Sequence, residues 1–119
     1  AWNKLTQLKT VEFMTTSYLR GQTFNNAIVI VDESQNCNYH ELCSIITRIG
    51  TDAKFVMCGD YYQSDFTKNI EKEGINQFIK ILSHMTSFDI IEFGFEDIVR
   101  SGLVRDFIMT KELVDRGKL

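Results

Sequence analysis

The sequence predicts an α/β fold, a parallel sheet flanked by helices, and three observations predict it. Short apolar runs alternate with amphipathic stretches along the chain. One of those runs, Ala27 to Asp32 (AIVIVD), is almost continuously β-branched, the composition of a strand covered on both faces. The connections between runs are short, which suits right-handed crossovers between parallel strands.

Taken in order, Val11 to Met14 is predicted as a short strand and Ala27 to Asp32 as a longer one. Asn38 with Glu41 three residues on forms a candidate capping box. Leu42, Ile45, Ile46 and Ile49 then fall on one helical face, with Gly50 predicted to close the helix. Lys54 to Cys58 (KFVMC) is a second apolar strand that runs into Gly59 and Asp60. Ile75, Phe78, Ile79 and Leu82 repeat the helical spacing. Phe88 to Phe93 (FDIIEF) is predicted as a further strand, and Leu103, Val104, Phe107 and Ile108 as the buried side of a last helix.

A length of 119 residues with 44% hydrophobic content predicts one domain over 1–119. A net charge of −3 lacks the basic excess of many nucleic-acid binders and leaves such a role to a local patch. Cys37, Cys43 and Cys58 make no close metal-type pair, which points to a reducing, cytoplasmic setting. No apolar run is long enough to cross a bilayer and no secretory signal precedes the first strand, so no membrane association is expected. No repeat, linker or proline divides the chain. A first residue of Ala1 is compatible with processing and with an excised fragment.

In parallel α/β sheets, ligands bind beyond the carboxyl ends of the strands, so the residues delivered there matter most. AIVIV runs into Asp32, Glu33, Ser34, Gln35 and Asn36; KFVMC runs into Gly59 and Asp60, with Gln63 beyond; FDIIEF is followed by Glu96, Asp97 and Arg100. An Asp at a strand tip can hold Mg²⁺ through a water, while an adjacent Glu, pointing the other way on an extended chain, can orient and polarise an attacking water. The plain alternative is an acidic residue that caps the next helix. Arg20 before Gly21 offers a guanidinium to phosphate or RNA, or else a solvated turn. Tyr61 and Tyr62 offer a stacking face to a base, or else pack over the sheet edge. His40 and His84 have no sequence neighbours that would complete a metal site or triad.

The segment Tyr18 to Asn36 (YLRGQTFNNAIVIVDESQN) closely resembles the part of PhoH-family P-loop ATPases in which Tyr-x-Arg-Gly-x-Thr leads into a strand ending Asp-Glu-x-Gln-Asn. The similarity continues in order through Ile46 to Gly50 (ITRIG), Gly59 to Asp65 (GDYYQSD), Gly74 with Ile75, and Phe95 to Val104 (FEDIVRSGLV), covering about residues 11 to 110. The resemblance implies a partial RecA-like P-loop NTPase core with ATP and Mg²⁺ as ligands. It implies Asp32 on Mg²⁺, Glu33 as the catalytic carboxylate, Gln63 as a γ-phosphate sensor and Arg100 as a charge-stabilising arginine acting within the chain or on a neighbour's nucleotide. Arg100 has a rival partner in Glu96 four residues earlier. The implied partners are nucleotide and RNA or single-stranded nucleic acid, with a homo-oligomer if Arg100 acts in trans.

The chain also departs from the family pattern. Gln22 stands at the second basic position of the Arg-Gly-x-Thr element, Ser34 where alanine is frequent, Ser101 and Gly102 where His and Pro are expected, and no proline follows Asp65. No Gly-x-x-x-x-Gly-Lys-Ser/Thr occurs, so the 119 residues hold no backbone cradle for β- and γ-phosphates. The family's loop and its strand lie upstream of the matching region, inside the sheet, and their removal would expose strand edges. The expectation is therefore a fragment of an ATPase, inactive or nearly so when isolated. The alternative is a non-catalytic interaction module that keeps the acidic motif as structure. A phosphoacceptor receiver domain is excluded because Asp32 and Asp60 are separated by a single β-α unit.

Overall fold

The computed structural model describes residues 1–61 and 69–119. After helix α1 (Trp2–Gln7) and a 3₁₀ turn at Thr16–Tyr18, strand β1 (Ile28–Val31) leads through a second 3₁₀ turn (Ser34–Asn36) into helix α2 (Tyr39–Ile46) and strand β2 (Lys54–Met57). Helix α3 (Asn69–His84), a 3₁₀ turn at Phe95–Asp97 and helix α4 (Gly102–Asp115) complete the order. The two strands pair in parallel, Ile28 opposite Lys54 and Val31 opposite Met57, with α2 as the crossover. This is the α/β arrangement predicted, reduced to its smallest parallel unit.

The core lies on one face of that unit. Leu42 of α2 meets Ile75, Phe78 and Leu82 of α3, and Val31, Met57 and Ile79 pack around them. Each such buried side chain contributes roughly 1.5–3 kcal/mol, so this contact carries much of the fold's hydrophobic stabilisation. The capping box forms as expected. The Glu41 amide donates to Asn38 Oδ1 at 2.8 Å, and the Asn38 amide approaches Glu41 Oε1 at 3.5 Å.

Helix α2 ends earlier than Gly50. Thr47 caps it, and its amide and hydroxyl both donate to the Cys43 carbonyl. Ile49 leaves the helix to make a parallel bridge with Phe24, and the Gly50 amide donates to the Phe24 carbonyl at 2.7 Å. A Cβ on Gly50 would lie 2.0 Å from Asn25 Oδ1, which explains the glycine by close approach.

Four further sequence expectations change. Val11 to Met14 is an irregular segment, tied down by an edge contact between Trp2 and Phe13 at 5.7 Å between ring centroids. Phe88 to Phe93 forms no strand: Phe88 packs on Phe55, but Ile91 and Phe93 are each 80% exposed, and among the described residues no strand lies beside them to share hydrogen bonds. Helix α4 forms, yet its expected buried side is open, with Leu103 82% and Phe107 64% exposed. Its local support includes ion pairs from Lys111 to Asp115 at 2.7 Å and from Arg116 to Glu112. Finally, β1 is covered on one face only: Val29 and Val31 are half-buried, while Ile28 and Ile30 are 69% and 64% exposed.

The radius of gyration is 17.1 Å, against roughly 13.5 Å for a compact domain of this length. No helix among the described residues is long and apolar enough to cross a membrane.

Candidate functional site at the strand ends

Because β1 and β2 are parallel and in register, their carboxyl ends reach the same edge, Asp32 after Val31 and Cys58 after Met57. The Cys58 amide donates to the Val31 carbonyl at 2.9 Å, and the Ser34 amide returns to the Cys58 carbonyl at 2.9 Å. The acidic turn is thereby laced onto the end of the neighbouring strand.

Asp32 and Glu33 are exposed, and the chain turns between them rather than staying extended. Glu33 is left-handed, with φ 50° and ψ 41°, a conformation that costs a non-glycine residue about 1–2 kcal/mol. The expectation that the two carboxylates alternate along a strand is corrected accordingly: the turn, not the pleat, separates them. Asp32 Oδ1 accepts the Glu33 amide at 2.9 Å, which leaves Oδ2 to other partners.

Two buried polar residues hold the turn against its strain. Ser34, fully buried, donates its hydroxyl to the Cys58 carbonyl at 2.7 Å and, its single proton being used there, accepts from the Tyr61 hydroxyl. Gln35, 6% exposed, donates from Nε2 to Glu33 Oε2 and accepts the Asp60 amide on Oε1 at 3.2 Å. Gly59 makes this possible: a Cβ there would sit 2.6 Å from Ser34 Oγ and 2.8 Å from Gln35 Oε1. Burial pushes the Tyr61 phenol up, the Ser34 bond partly opposes it, and the Cys37 and Cys58 thiols add to it. Tyr61 thus stays a neutral donor, packed against the core rather than held out to stack on a base.

Of the sequence-predicted site residues, Asp32 and Glu33 stand together at this edge. Gln63, with Tyr62, lies outside the described residues. Arg20 is exposed and lines an open groove of about 500 Å³ between the Thr16–Tyr18 turn and α2, with Ser17, His40, Glu41 and Ser44. Arg100 sits in the bend before α4 and is exposed. Its rival pairing with Glu96 is not formed, because the two are not on one helix: Glu96 belongs to the Phe95–Asp97 turn, which Asp97 closes by accepting the Gly94 amide at 2.7 Å.

The roles of Ser34, Gln35 and Gly59 were not legible in advance. Their types mark a polar turn, but the bonds span 24 to 27 residues and depend on how the strand ends meet.

A family model described as PhoH-like protein matches residues 1–112. The chain is 34% identical over 93 residues to Protein PhoH of Escherichia coli K12, covering 78% of this chain and 26% of that one. It is 33% identical over 102 residues to a PhoH-like protein of Synechocystis, covering 86% and 31%. A PhoH-like protein of Mycobacterium leprae is 30% identical over 105 residues, covering 88% and 30%. The chain therefore spans less than a third of the length of these curated relatives.

Proposed function

Given that the chain belongs to the PhoH-like protein family, we propose that it carries the magnesium-facing and water-activating half of an ATP-hydrolysing site. The observation that carries this reading is the strand-end turn, where two exposed carboxylates keep free acceptor atoms while buried neighbours hold the backbone. Asp32 Oδ2 suits the hydration shell of Mg²⁺. That ion keeps several waters and takes other ligands from nucleotide phosphates, so one carboxylate is a sufficient protein contribution. When bound, the ion neutralises charge on the phosphate oxygens.

Glu33, anchored through Oε2, keeps Oε1 to accept from and orient the attacking water. Gln63 as the γ-phosphate sensor and Arg100 as the charge-stabilising group complete the catalytic set, and Arg20 is proposed to contact phosphate. Coupling to RNA or other nucleic-acid remodelling is proposed as the process that would use such hydrolysis, on the family resemblance alone. The free thiols of Cys37, Cys43 and Cys58 agree with a cytoplasmic setting.

The phosphate cradle is proposed to come from elsewhere in a longer protein. In support, among the described residues β2 pairs with β1 alone, and Phe88 to Phe93 has strand-like sequence but no strand neighbour. A strand between them would satisfy both. The test is turnover in a protein that includes an upstream phosphate-binding loop. There, Glu33→Gln is expected to lower kcat by about 10²-fold or more while ATP still binds. Unchanged turnover would remove Glu33 from the catalytic set.

The second reading is a non-catalytic interaction module that keeps the acidic motif as structure. Calorimetric titration of the chain with ATP and Mg²⁺ separates the two readings when joined to the turnover test. An ATPase half binds weakly alone and tightly with the loop; an interaction module binds in neither setting.

A further inference from the structure

We propose that Gln35 is a positioning residue that ties the Glu33 carboxylate to the backbone turn after β2, so that movement of that turn is transmitted to the water-activating group. The proposal rests on the catalytic reading of Glu33 given above and deepens it.

A buried carboxamide must satisfy both of its ends. Gln35 does so with partners that belong to different loops: the side chain of Glu33, two residues earlier, and the main-chain amide of Asp60, 25 residues later. The amide group is planar, so a bond at each end couples the position of one partner to that of the other. Gly59 leaves the room that Oε1 occupies, since a Cβ there would lie 2.8 Å from it. The bond is made to a main-chain amide, so it follows the path of the chain whatever side chain stands at position 60. From Asp60 the chain continues through Tyr61 toward Gln63, the proposed γ-phosphate sensor. Ser34 holds the same turn on either side of Asp60, through the Cys58 carbonyl and the Tyr61 hydroxyl, so Gln35 joins Glu33 to a turn that is already braced.

Two variants separate positioning from packing. Gln35→Met keeps the volume and loses both bonds; Gln35→Glu keeps the acceptor for the Asp60 amide and replaces the donor to Glu33 with a like charge. In the 119-residue chain, Glu33→Ala is expected to speed hydrogen exchange of the Asp60 amide in the presence of Gln35 and to have no further effect in the Gln35→Met background. An equal effect in both backgrounds, or none in either, overturns the link.

In the longer protein, both Gln35 variants are expected to lower kcat roughly tenfold to a hundredfold, with KM for ATP changed by less than about threefold. Only Gln35→Met should deprotect the Asp60 amide. A normal kcat in Gln35→Met, where Glu33→Gln abolishes turnover, overturns the positioning role. If Glu33→Gln leaves turnover intact, the catalytic reading of Glu33 falls instead, and the exchange experiment still decides whether the link exists.

Discussion

Replacing Gly59 by alanine tests the construction of the strand-end site most directly. The added Cβ would lie 2.6 Å from Ser34 Oγ, 2.8 Å from Gln35 Oε1 and 3.1 Å from Tyr61 OH. The first two distances are shorter than real contacts allow, and neither atom is the loose end of a free side chain: Ser34 is pinned to Cys58, and Gln35 to Asp60 and Glu33. The strain is purely steric, because Gly59 is not among the residues of positive φ. Relief requires about two of these partly buried hydrogen bonds to break, at roughly 1–2 kcal/mol each, so Gly59→Ala should destabilise the chain by about 2–4 kcal/mol. Against a typical total of about 5–15 kcal/mol that is a large fraction. Urea unfolding would read it as a fall in midpoint at constant slope. Ser34→Ala removes the nearest obstacle, so the double variant should lose less than the sum of the singles, by about 1 kcal/mol or more. A loss below about 0.5 kcal/mol for Gly59→Ala, the range of an ordinary surface change, would refute the close approach.

Two further outcomes follow from burial and charge. Leu42→Ala, in the fully buried centre of the core, should cost about 2–5 kcal/mol in the same unfolding assay, whereas Leu103→Ala on the open side of α4 should stay within about 0.5 kcal/mol. Cys37 and Tyr61 both titrate above their ordinary values of 9.0 and 10.0, each chiefly through burial. The unfolded chain therefore loses these protons first: stability is fully present below about pH 9 and declines as pH rises through the unfolded and then the folded values. Tyr61→Phe should flatten the part of the decline that begins near pH 10, measured as unfolding midpoint against pH.

Elements whose reasons are local were readable from residues alone. Asn38 and Glu41 start α2 because both halves of the capping box lie within one turn, and the stripe of Ile75, Phe78 and Leu82 turns inward because a helix places those positions on one side. Asp32 and Glu33 could be assigned to a strand end because the β-branched run before them stops there. Where the reason is a distant partner, reading failed. Phe88 to Phe93 has the composition of a strand but, among the described residues, no strand to pair with, and Leu103 and Phe107 on the apolar side of α4 stay exposed. Ile49 continues a helical stripe in sequence yet serves a bridge to Phe24, because Gly50 and Asn25 bring the two segments into contact.

The order and periodicity of side chains thus sufficed for the α/β class, the two central strands, the two packed helices and the family, all of which depend on spacing within a few residues. The turn between the two carboxylates, the bracing by Ser34 and Gln35 and the need for Gly59 came from the folded chain alone. Parallel pairing of Val31 with Met57 sets Cys58, Gly59 and Asp60 beside the acidic turn, and no local pattern encodes a contact between residues so far apart in sequence.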